Sequence, residues 1–170
     1  MSTSYDTIGV SYSDLRKPDQ RIEMVIGRAL GSAVSVLNVG AGAGSYEPAD
    51  RQVTAVEPSM AMIRQRGASA APVIQGFAED LPFDDKSFDA SMAILTVHHW
   101  ADKAKGLQEM RRVTRGQVVV LTFDPSLRGF WLADYFPDLV KLDDEIMPAM
   151  TEYEAWLGAV EISTVPVPHD

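Results

Sequence analysis

The loop NVGAGAGS holds three glycines at alternate positions, Gly40, Gly42 and Gly44, directly after an apolar segment. Glycine can adopt positive φ in a tight turn and places no Cβ atom between the backbone and a ligand. The next apolar segment ends in Glu57, whose carboxylate can accept hydrogen bonds from both hydroxyls of a ribose. The glycines alone are typical of an ordinary strand–helix turn, and Glu57 alone of a charge at a helix start. Together they favour the binding of an adenosine ligand.

The spacing of the glycines distinguishes two kinds of adenosine ligand. A dinucleotide-binding loop has the pattern G-x-G-x-x-G and precedes a helix whose N-terminus receives the pyrophosphate. Here the pattern is G-x-G-x-G, and only the segment SYEPADRQ separates Gly44 from Val53. A segment of that length that contains a proline holds little more than one helical turn. It does not exclude a phosphate, but it fits a ligand without phosphates better.

The neighbouring residues His98 and His99 are the candidates for a general base. They are two of the three histidines of the chain and follow the apolar segment SFDASMAILTV. An imidazole titrates near neutral pH and can take a proton from a hydroxyl or an amine. The alternative is that one of the two caps the loop or packs beneath it.

Composition limits the classes of partner. The net charge of the 170-residue chain is −9, whereas a nucleic-acid-binding protein normally carries a basic patch. The densest basic group, Arg111, Arg112 and Arg115, lies at the end of a predicted helix, where cations offset the helix dipole. There is no cysteine, no carboxylate cluster at metal-ligand spacing, no apolar run of membrane-spanning length and no signal-peptide core. We therefore expect a cytoplasmic protein without a metal that binds neither nucleic acid nor membranes.

Short β-branched segments alternate with amphipathic ones. The predicted strands are AVSVLNV, VTAVE, PVIQGF, SFDASMAILTV and QVVVLTF, with AVEISTVPVP as a last candidate. The predicted helices are KPDQRIEMVIGRALG, PSMAMIRQRG, ADKAKGLQEMRRVTRG and TEYEAWLG. The first is expected to end at Gly31 and the second to be capped by Ser59, and the last has a capping box of Thr151 and Glu154 and ends at Gly158. This alternation implies βαβ units and a mostly parallel sheet. Ligands of such sheets bind beyond the carboxyl ends of the strands, where the glycine loop would lie.

Five blocks between about Leu37 and Asp124 resemble, in order and spacing, the class I S-adenosylmethionine-dependent methyltransferases, in particular the small-molecule group called type 11. The blocks are VLNVGAGAGSYEP, VTAVEPSMAMIRQR, GFAEDLPFDDKSFDAS, ILTVHHW and GLQEMRRVTRGQVVVLTF. The resemblance implies an α/β fold, a Rossmann-like three-layer αβα sandwich with a mostly parallel sheet. It also implies an enzyme that transfers a methyl group from S-adenosylmethionine to a small molecule, which the sequence does not identify.

The resemblance assigns residues to the cofactor. Glu57 would hold the ribose diol, and the backbone of Ile94 and Leu95 would face the amine and the sulfonium. The glycine loop would lie against the methionyl part of the cofactor, through Gly40, Ala41, Gly42 and Gly44. The residues around the adenine would be Pro58, Met62, Ala78 and Glu79.

The resemblance also assigns roles around the methyl group. A sulfonium methyl is already activated, so its transfer mainly needs proximity and a deprotonated nucleophile, for which His98 or His99 would be the base. An N-terminal arm with Tyr5, Tyr12 and Arg16 would close the site. The aromatic segment GFWLADYF would form an apolar wall for the acceptor; its large residues are Phe130, Trp131, Tyr135 and Phe136.

The sequence departs from the family pattern in two places. Phe77 stands where the family commonly has an aspartate that reads the adenine amino group. The family fold normally ends with a sixth strand, a helix and an antiparallel seventh strand, whereas this sequence stops at VPVPHD. We therefore expect a sheet that lacks its last antiparallel strand, in a truncated chain or a fragment, with an uncovered edge through which a homo-oligomer could form.

The expected organisation is one methyltransferase-like domain over 1–170, with an arm at 1–16, a cofactor-binding core at 17–124 and an incomplete acceptor-side segment at 125–170. Two other functions stay open. Phe77 and the missing strand would fit a non-catalytic ligand-binding protein on a methyltransferase scaffold. An NAD(P)-dependent oxidoreductase is the weaker alternative, because the third glycine comes one residue early and the following helix is short.

Overall fold

The computed structural model describes residues 18–124 and 145–165 of the chain. The strands are β1 (Ser35–Val39), β2 (Gln52–Glu57), β3 (Val73–Gln75), β4 (Ala90–Ile94) and β5 (Val118–Leu121). The helices are α1 (Gln20–Ala29), α2 (Met60–Arg64), α3 (Lys103–Val113) and α4 (Met150–Leu157), and a 3₁₀ turn spans Val97–His99. Four of the first five predicted strand segments contain one of these strands, and the segment VTAVE covers all of β2 except Gln52, which confirms the alternating pattern.

The strands form one sheet in the order β3-β2-β1-β4-β5. Every pair is parallel; for example, Asn38 of β1 lies opposite Ala55 of β2 on one side and Met92 of β4 on the other. The strand order reverses at β1, because β2 and β4 are its two neighbours. A ligand crevice is expected beyond the carboxyl ends of β1 and β4 in a sheet of this kind.

Helices cover both faces of the sheet. Side chains alternate along each strand, so Val36 packs with Ile26 of α1 and with Leu30, which directly follows that helix, on one face. Leu37, the next residue, packs with Leu107 of α3 on the other face, where the core also includes residues of α4. This arrangement is a three-layer αβα sandwich, as expected from the sequence.

Local signals set the ends of the first two helices. Helix α1 begins after Asp19, whose carboxylate accepts a hydrogen bond of 2.8 Å from the N–H of Arg21. It ends before Gly31, which has a φ of 57°. Helix α2 begins after Ser59, whose Oγ accepts from the N–H of Met62 at 3.3 Å. The predicted stop at Gly31 and the predicted cap at Ser59 are therefore confirmed.

The predicted capping box of α4 is wrong. The helix begins two residues earlier, after Ala149, and Thr151 lies inside it. The carboxylate that reaches back belongs to Glu152 instead of Glu154, and it accepts from the N–H of Ala149 at 2.9 Å. Ala149 directly follows Pro148 and has extended backbone dihedral angles, and the helix begins at the next residue, Met150. The predicted end at Gly158 is confirmed, with a φ of 83°.

The last strand candidate, AVEISTVPVP, is not a strand where the structure describes it. Residues 159–165 have no regular secondary structure, and 166–170 lie outside the described residues. A β-branched run is not sufficient to form a strand without a neighbour to pair with. In the described part, β3 and β5 are the two edges of the sheet. The homo-oligomer expected at an edge stays a prediction.

The basic residues at the end of α3 do more than offset a helix dipole. Arg112 donates to the carbonyl oxygens of Phe83 and Leu81, at 2.8 and 3.1 Å. Arg115 donates to Asp89 at 2.8 Å. These contacts attach the loops before β4 to the end of α3, so the sequence-based interpretation of the basic group was incomplete.

Asp89 joins the amino-terminal ends of two strands. Its Oδ2 accepts from the N–H groups of Val34 and Ser35, at 3.1 and 2.9 Å. The backbone N–H of Ser35, followed by the guanidinium of Arg115, holds the pKa of the Asp89 carboxyl well below its usual range. The residue lies at the end of the sheet opposite the ligand crevice, where it connects β1 to β4.

Candidate functional site

The glycine loop leaves β1 at the position where the strand order reverses. Gly40 has a φ of 68°, and its N–H and that of Ala41 both donate to the carbonyl oxygen of Val56, at 2.9 and 3.1 Å. A Cβ atom on Gly40 would lie 2.1 Å from Oγ1 of Thr96, the second residue after β4. Glycine is therefore required at position 40 both for its dihedral angle and for the close approach of the loop after β4.

Gly42 connects the loop to the carboxylate at the end of β2. It has a φ of 53°, and its N–H donates to Oε2 of Glu57 at 2.8 Å. The other oxygen, Oε1, accepts from the N–H of Ser59 at 2.9 Å. Glu57 is 5% exposed. One backbone hydrogen bond to each oxygen fixes the plane of this carboxylate.

No helix follows the glycine loop. Between Gly44 and Gln52 the chain forms turns and loops only. A pyrophosphate bound at a helix N-terminus relies on the backbone N–H groups and the dipole of that helix. This segment offers neither, which agrees with the sequence-based preference for a ligand without phosphates.

Apolar residues line the start of α2 beside the loop. Met62 is buried, and a Cβ on Gly42 would lie 3.2 Å from its terminal methyl carbon. Pro58 is half-buried, and its carbonyl oxygen accepts from Nε2 of Gln75 at 3.1 Å. The structure therefore places Pro58 and Met62 next to Glu57 and the glycine loop.

The segment after β3 approaches the start of α3. Phe77 is 49% exposed, whereas Ala78 is buried. The carboxylate of Glu79 accepts from the N–H of Asp102 at 3.0 Å, and Asp102 caps α3 by accepting from Lys105 at 2.9 Å. Glu79 therefore has a structural contact in addition to the predicted role beside the adenine, which stays a prediction.

The backbone at the end of β4 adopts an unusual conformation. Ile94 is the last residue of the strand, and Leu95 has a φ of 54°. A leucine is rarely found in the left-handed region, and such residues cluster at functional sites. The N–H of Leu95 donates to the carbonyl oxygen of Leu121 at 2.8 Å, which helps to hold this turn. The chain therefore turns at the carboxyl end of β4, next to the glycine loop.

The histidine pair lies on the 3₁₀ turn that follows. The ring centroids of His98 and His99 are 3.8 Å apart, and the N–H of His99 donates to the carbonyl oxygen of Thr96 at 2.9 Å. Partial desolvation in the loop, and secondly the positive charge of Lys103, lower the pKa of His99. His99 is therefore biased towards the neutral imidazole, the form that can accept a proton.

Three residues of this region were not predicted from the sequence. Thr96 packs against Gly40, and an ion pair of Glu47 and Arg66 lies under the glycine loop, with Nη2 2.7 Å from Oε1. An aligned set of relatives could have revealed them as co-varying positions, but a single sequence carries no such signal. The predicted arm and acceptor wall lie outside the described residues; they comprise Tyr5, Tyr12, Arg16, Phe130, Trp131, Tyr135 and Phe136.

The described residues form neither a metal-binding cluster nor a membrane-spanning helix. Over 18–124 and 145–165, no group of three or more histidine, aspartate or glutamate side chains could hold a metal ion. No helix in these two stretches is long and apolar enough to cross a bilayer. The expected cytoplasmic location stays a prediction.

A family model described as a methyltransferase domain matches residues 37–121, which is half of the chain. The matched residues run from β1 to β5 and contain the glycine loop, Glu57 and the histidine pair. The resemblance from Leu37 to Asp124 is thereby confirmed.

Curated relatives carry the same kind of name. A 2-methyl-6-phytyl-1,4-hydroquinone methyltransferase of Oryza sativa subsp. japonica is 33% identical over 84 residues, which are 49% of this chain and 23% of that protein. A demethylmenaquinone methyltransferase of Mycolicibacterium gilvum is 32% identical over 130 residues, which are 75% of this chain and 52% of that protein. The chain therefore spans about half or less of the length of these two relatives.

Solved structures share the fold. An inferred methyltransferase from an antibiotic biosynthesis pathway of Anabaena variabilis is 37% identical, with a TM-score of 0.75 over 82% of this chain and 60% of that one. An S-adenosylmethionine-dependent methyltransferase of Aquifex aeolicus, 20% identical, has a TM-score of 0.64 over 85% of this chain and 83% of that one, and it is similar in fold alone. These matches do not favour the two alternatives, an oxidoreductase and a non-catalytic binding protein.

Proposed function

The chain belongs to the methyltransferase domain family, and from that premise we propose that it transfers the methyl group of S-adenosylmethionine to a small molecule. One observation carries the proposal. The buried carboxylate of Glu57 is held by the backbone N–H groups of Gly42 and Ser59 at the end of β2. It stands beside a glycine loop in which a Cβ atom at Gly40 would clash with Thr96.

The residues present fit an adenosyl ligand. A buried carboxylate with fixed oxygens is a strong acceptor for a vicinal diol, and each charge-assisted hydrogen bond contributes about 1.5–3 kcal/mol. The loop that would face a pyrophosphate offers no helix N-terminus. The chemistry of this donor and acceptor set therefore supports S-adenosylmethionine over a nicotinamide dinucleotide.

We assign the cofactor contacts as follows. Glu57 would accept from the ribose hydroxyls, and the backbone of Ile94 and Leu95 would face the methionyl amine and the sulfonium. The loop residues Gly40, Ala41, Gly42 and Gly44 would lie along the methionyl chain. Pro58 and Met62 would flank the adenine, and the segment with Ala78 and Glu79 would pass along its edge. The position of Met62, buried next to Gly42, supports this assignment.

The histidine pair would move the proton of the acceptor. When bound, S-adenosylmethionine would supply a methyl group on a positively charged sulfur: the nucleophile of the acceptor bonds to the methyl carbon as the carbon–sulfur bond breaks, and S-adenosylhomocysteine is the leaving group. His98 or His99 would take the proton of the nucleophile's hydroxyl or amine. His99 suits this role because its lowered pKa keeps it neutral at pH 7.

The acceptor is proposed to be a small molecule, with a hydroquinone as the first to test. Two relatives are named for methylating a hydroquinone and a demethylmenaquinone. A hydroquinone carries a hydroxyl whose proton a neutral imidazole can accept. The proposal for this chain rests on those names and on the position of the histidines after β4.

Calorimetric titration with three ligands tests the proposal. S-adenosylmethionine and S-adenosylhomocysteine should both bind with one site per chain, and NADH should not. The wild-type protein, checked for cooperative unfolding beforehand, is the material. Binding of NADH with no binding of either adenosyl compound would overturn the proposed function.

A further inference from the structure

The two peptide groups that flank Gly42, the central residue of the glycine loop, are each held by a side chain. The N–H of Gly42 donates to Glu57 at 2.8 Å, and its carbonyl oxygen accepts from Nη1 of Arg66 at 3.0 Å. Gly42 has positive φ and no Cβ atom, so its two peptide groups could otherwise adopt many orientations. The two contacts fix these groups, one relative to β2 and the other relative to the segment after α2.

Arg66 is buried together with Glu47. Their side chains are 4% and 7% exposed, and Nη2 of Arg66 lies 2.7 and 2.9 Å from the two carboxylate oxygens. Glu47 also accepts from Nδ2 of Asn38 at 3.1 Å and from the N–H of Ala71 at 2.9 Å. The pair therefore joins the end of β1, the glycine loop and the segment that leads to β3.

Stability alone is a weak explanation for this pair. Burying two charges costs desolvation free energy that their attraction offsets only in part, and apolar residues of similar volume often serve as well or better. Asn38 Oδ1 and Arg66 Nε are also buried without a hydrogen-bond partner within the described part of the chain, which adds to the cost. Apolar residues could not supply the hydrogen bond to the Gly42 carbonyl oxygen.

We propose that the Glu47–Arg66 pair positions the ribose site. Arg66 holds the carbonyl oxygen of Gly42 and so restricts the conformation of this residue. The N–H of Gly42 in turn orients the Glu57 carboxylate, and Glu47 holds Arg66 in place. An acceptor that is already oriented loses less conformational freedom when the ligand binds. The inference rests on the proposed function, because it takes Glu57 as the ribose acceptor.

The test compares affinity for S-adenosylhomocysteine with stability in variants that remove the pair. Arg66→Met leaves Glu47 buried without its partner and is expected to destabilise the protein. Glu47→Leu/Arg66→Met removes both charges and should regain most of that stability. In both variants the Kd measured by calorimetry should rise about tenfold, within the range of coupling energies inside one hydrogen-bond network. A purely structural pair would instead recover affinity along with stability.

Arg51→Met is the matched control. Arg51 is also a mostly buried arginine, and it donates to the carbonyl oxygens of Gly27 and Ala33, at 3.2 and 2.8 Å. It lies at the amino end of β2, away from the glycine loop. This variant should lose stability and keep a Kd within twofold of the wild type.

The outcomes separate this inference from the proposed function. If the wild type does not bind S-adenosylhomocysteine, the proposed function fails first. If the wild type binds and Glu47→Leu/Arg66→Met has an unchanged Kd, the positioning role is wrong while the function stands. Should that variant not fold, Glu47→Gln/Arg66→Gln decides in the same way, since glutamine is too short to reach Gly42 from position 66; an unchanged Kd there also overturns the inference.

Discussion

The side chain of Thr96 occupies the space that a Cβ atom would take on Gly40. A Cβ built on Gly40 lies 2.1 Å from Oγ1 and 2.9 Å from Cβ of Thr96. The loop after β1 and the loop after β4 therefore come into contact where the strand order reverses, and they can do so because Gly40 has no side chain. This contact determines how closely the two halves of the crevice approach each other.

Gly40→Ala should disrupt this contact. Gly31→Ala is the control that separates the effect of overpacking from that of left-handed backbone strain. Both glycines have positive φ, 68° and 57°, but nothing lies within 4 Å of a Cβ on Gly31. Gly31→Ala should lower the free energy of unfolding by about 1 kcal/mol, through left-handed strain alone. Gly40→Ala should lower it by about 1–3 kcal/mol more because of overpacking. Urea unfolding measures both, and equal losses would show that the contact with Thr96 does not matter.

Asp89→Asn should loosen the amino ends of β1 and β4. Because the folded protein holds the pKa of Asp89 below its usual range, the ionised carboxylate stabilises the folded state at neutral pH. That contribution is lost as the pH falls below the usual value of 3.8 towards the folded pKa. The variant should therefore unfold at lower urea concentration at pH 7, with a smaller difference near pH 3. A difference that does not depend on pH would contradict this explanation.

His99 should also make folding stability depend on pH, at a higher pH than Asp89 does. Its pKa is lowered from 6.5 in the folded state, so the unfolded chain binds more protons just below that pH. Stability is then fully present above about pH 6.5 and decreases as the pH falls towards the folded pKa. His99→Gln should flatten the slope of unfolding free energy between pH 7.5 and 5.5. An unchanged slope would mean that His99 does not have the lowered pKa.

Removing the general base should reduce turnover and leave ligand binding intact. For a short-chain hydroquinone that proves to be an acceptor, the release of S-adenosylhomocysteine should fall at least about 100-fold in either His98→Ala or His99→Ala. The Kd of S-adenosylhomocysteine should stay within twofold in both variants, which serves as the control. Equal turnover in both variants and the wild type would exclude the histidine base.

Sequence reasoning was most successful where one residue type determines the local structure. The β-branched runs predicted β1 to β5, Ser59 predicted the cap of α2, and Gly31 and Gly158 predicted helix ends. These features depend on neighbours in sequence, which a single chain displays directly.

Sequence-based prediction was least successful for contacts between side chains that are distant in the sequence. Glu47 and Arg66 are 19 residues apart in sequence, and nothing in either segment indicates that both are buried. The left-handed backbone of Leu95 was also not predicted, because leucine has no preference for that region. The predicted capping box of α4 was wrong because the helix starts after Ala149, so that its third residue is Glu152 and not Glu154.

The most direct test of the account is the affinity of Glu57→Ala for S-adenosylhomocysteine, measured by calorimetry beside the wild type. If Glu57 holds the ribose, the loss of its hydrogen bonds should weaken binding by about 1.5–3 kcal/mol, in a protein that still unfolds cooperatively. An unchanged Kd in the folded variant would remove Glu57 from the ligand site and contradict the central claim.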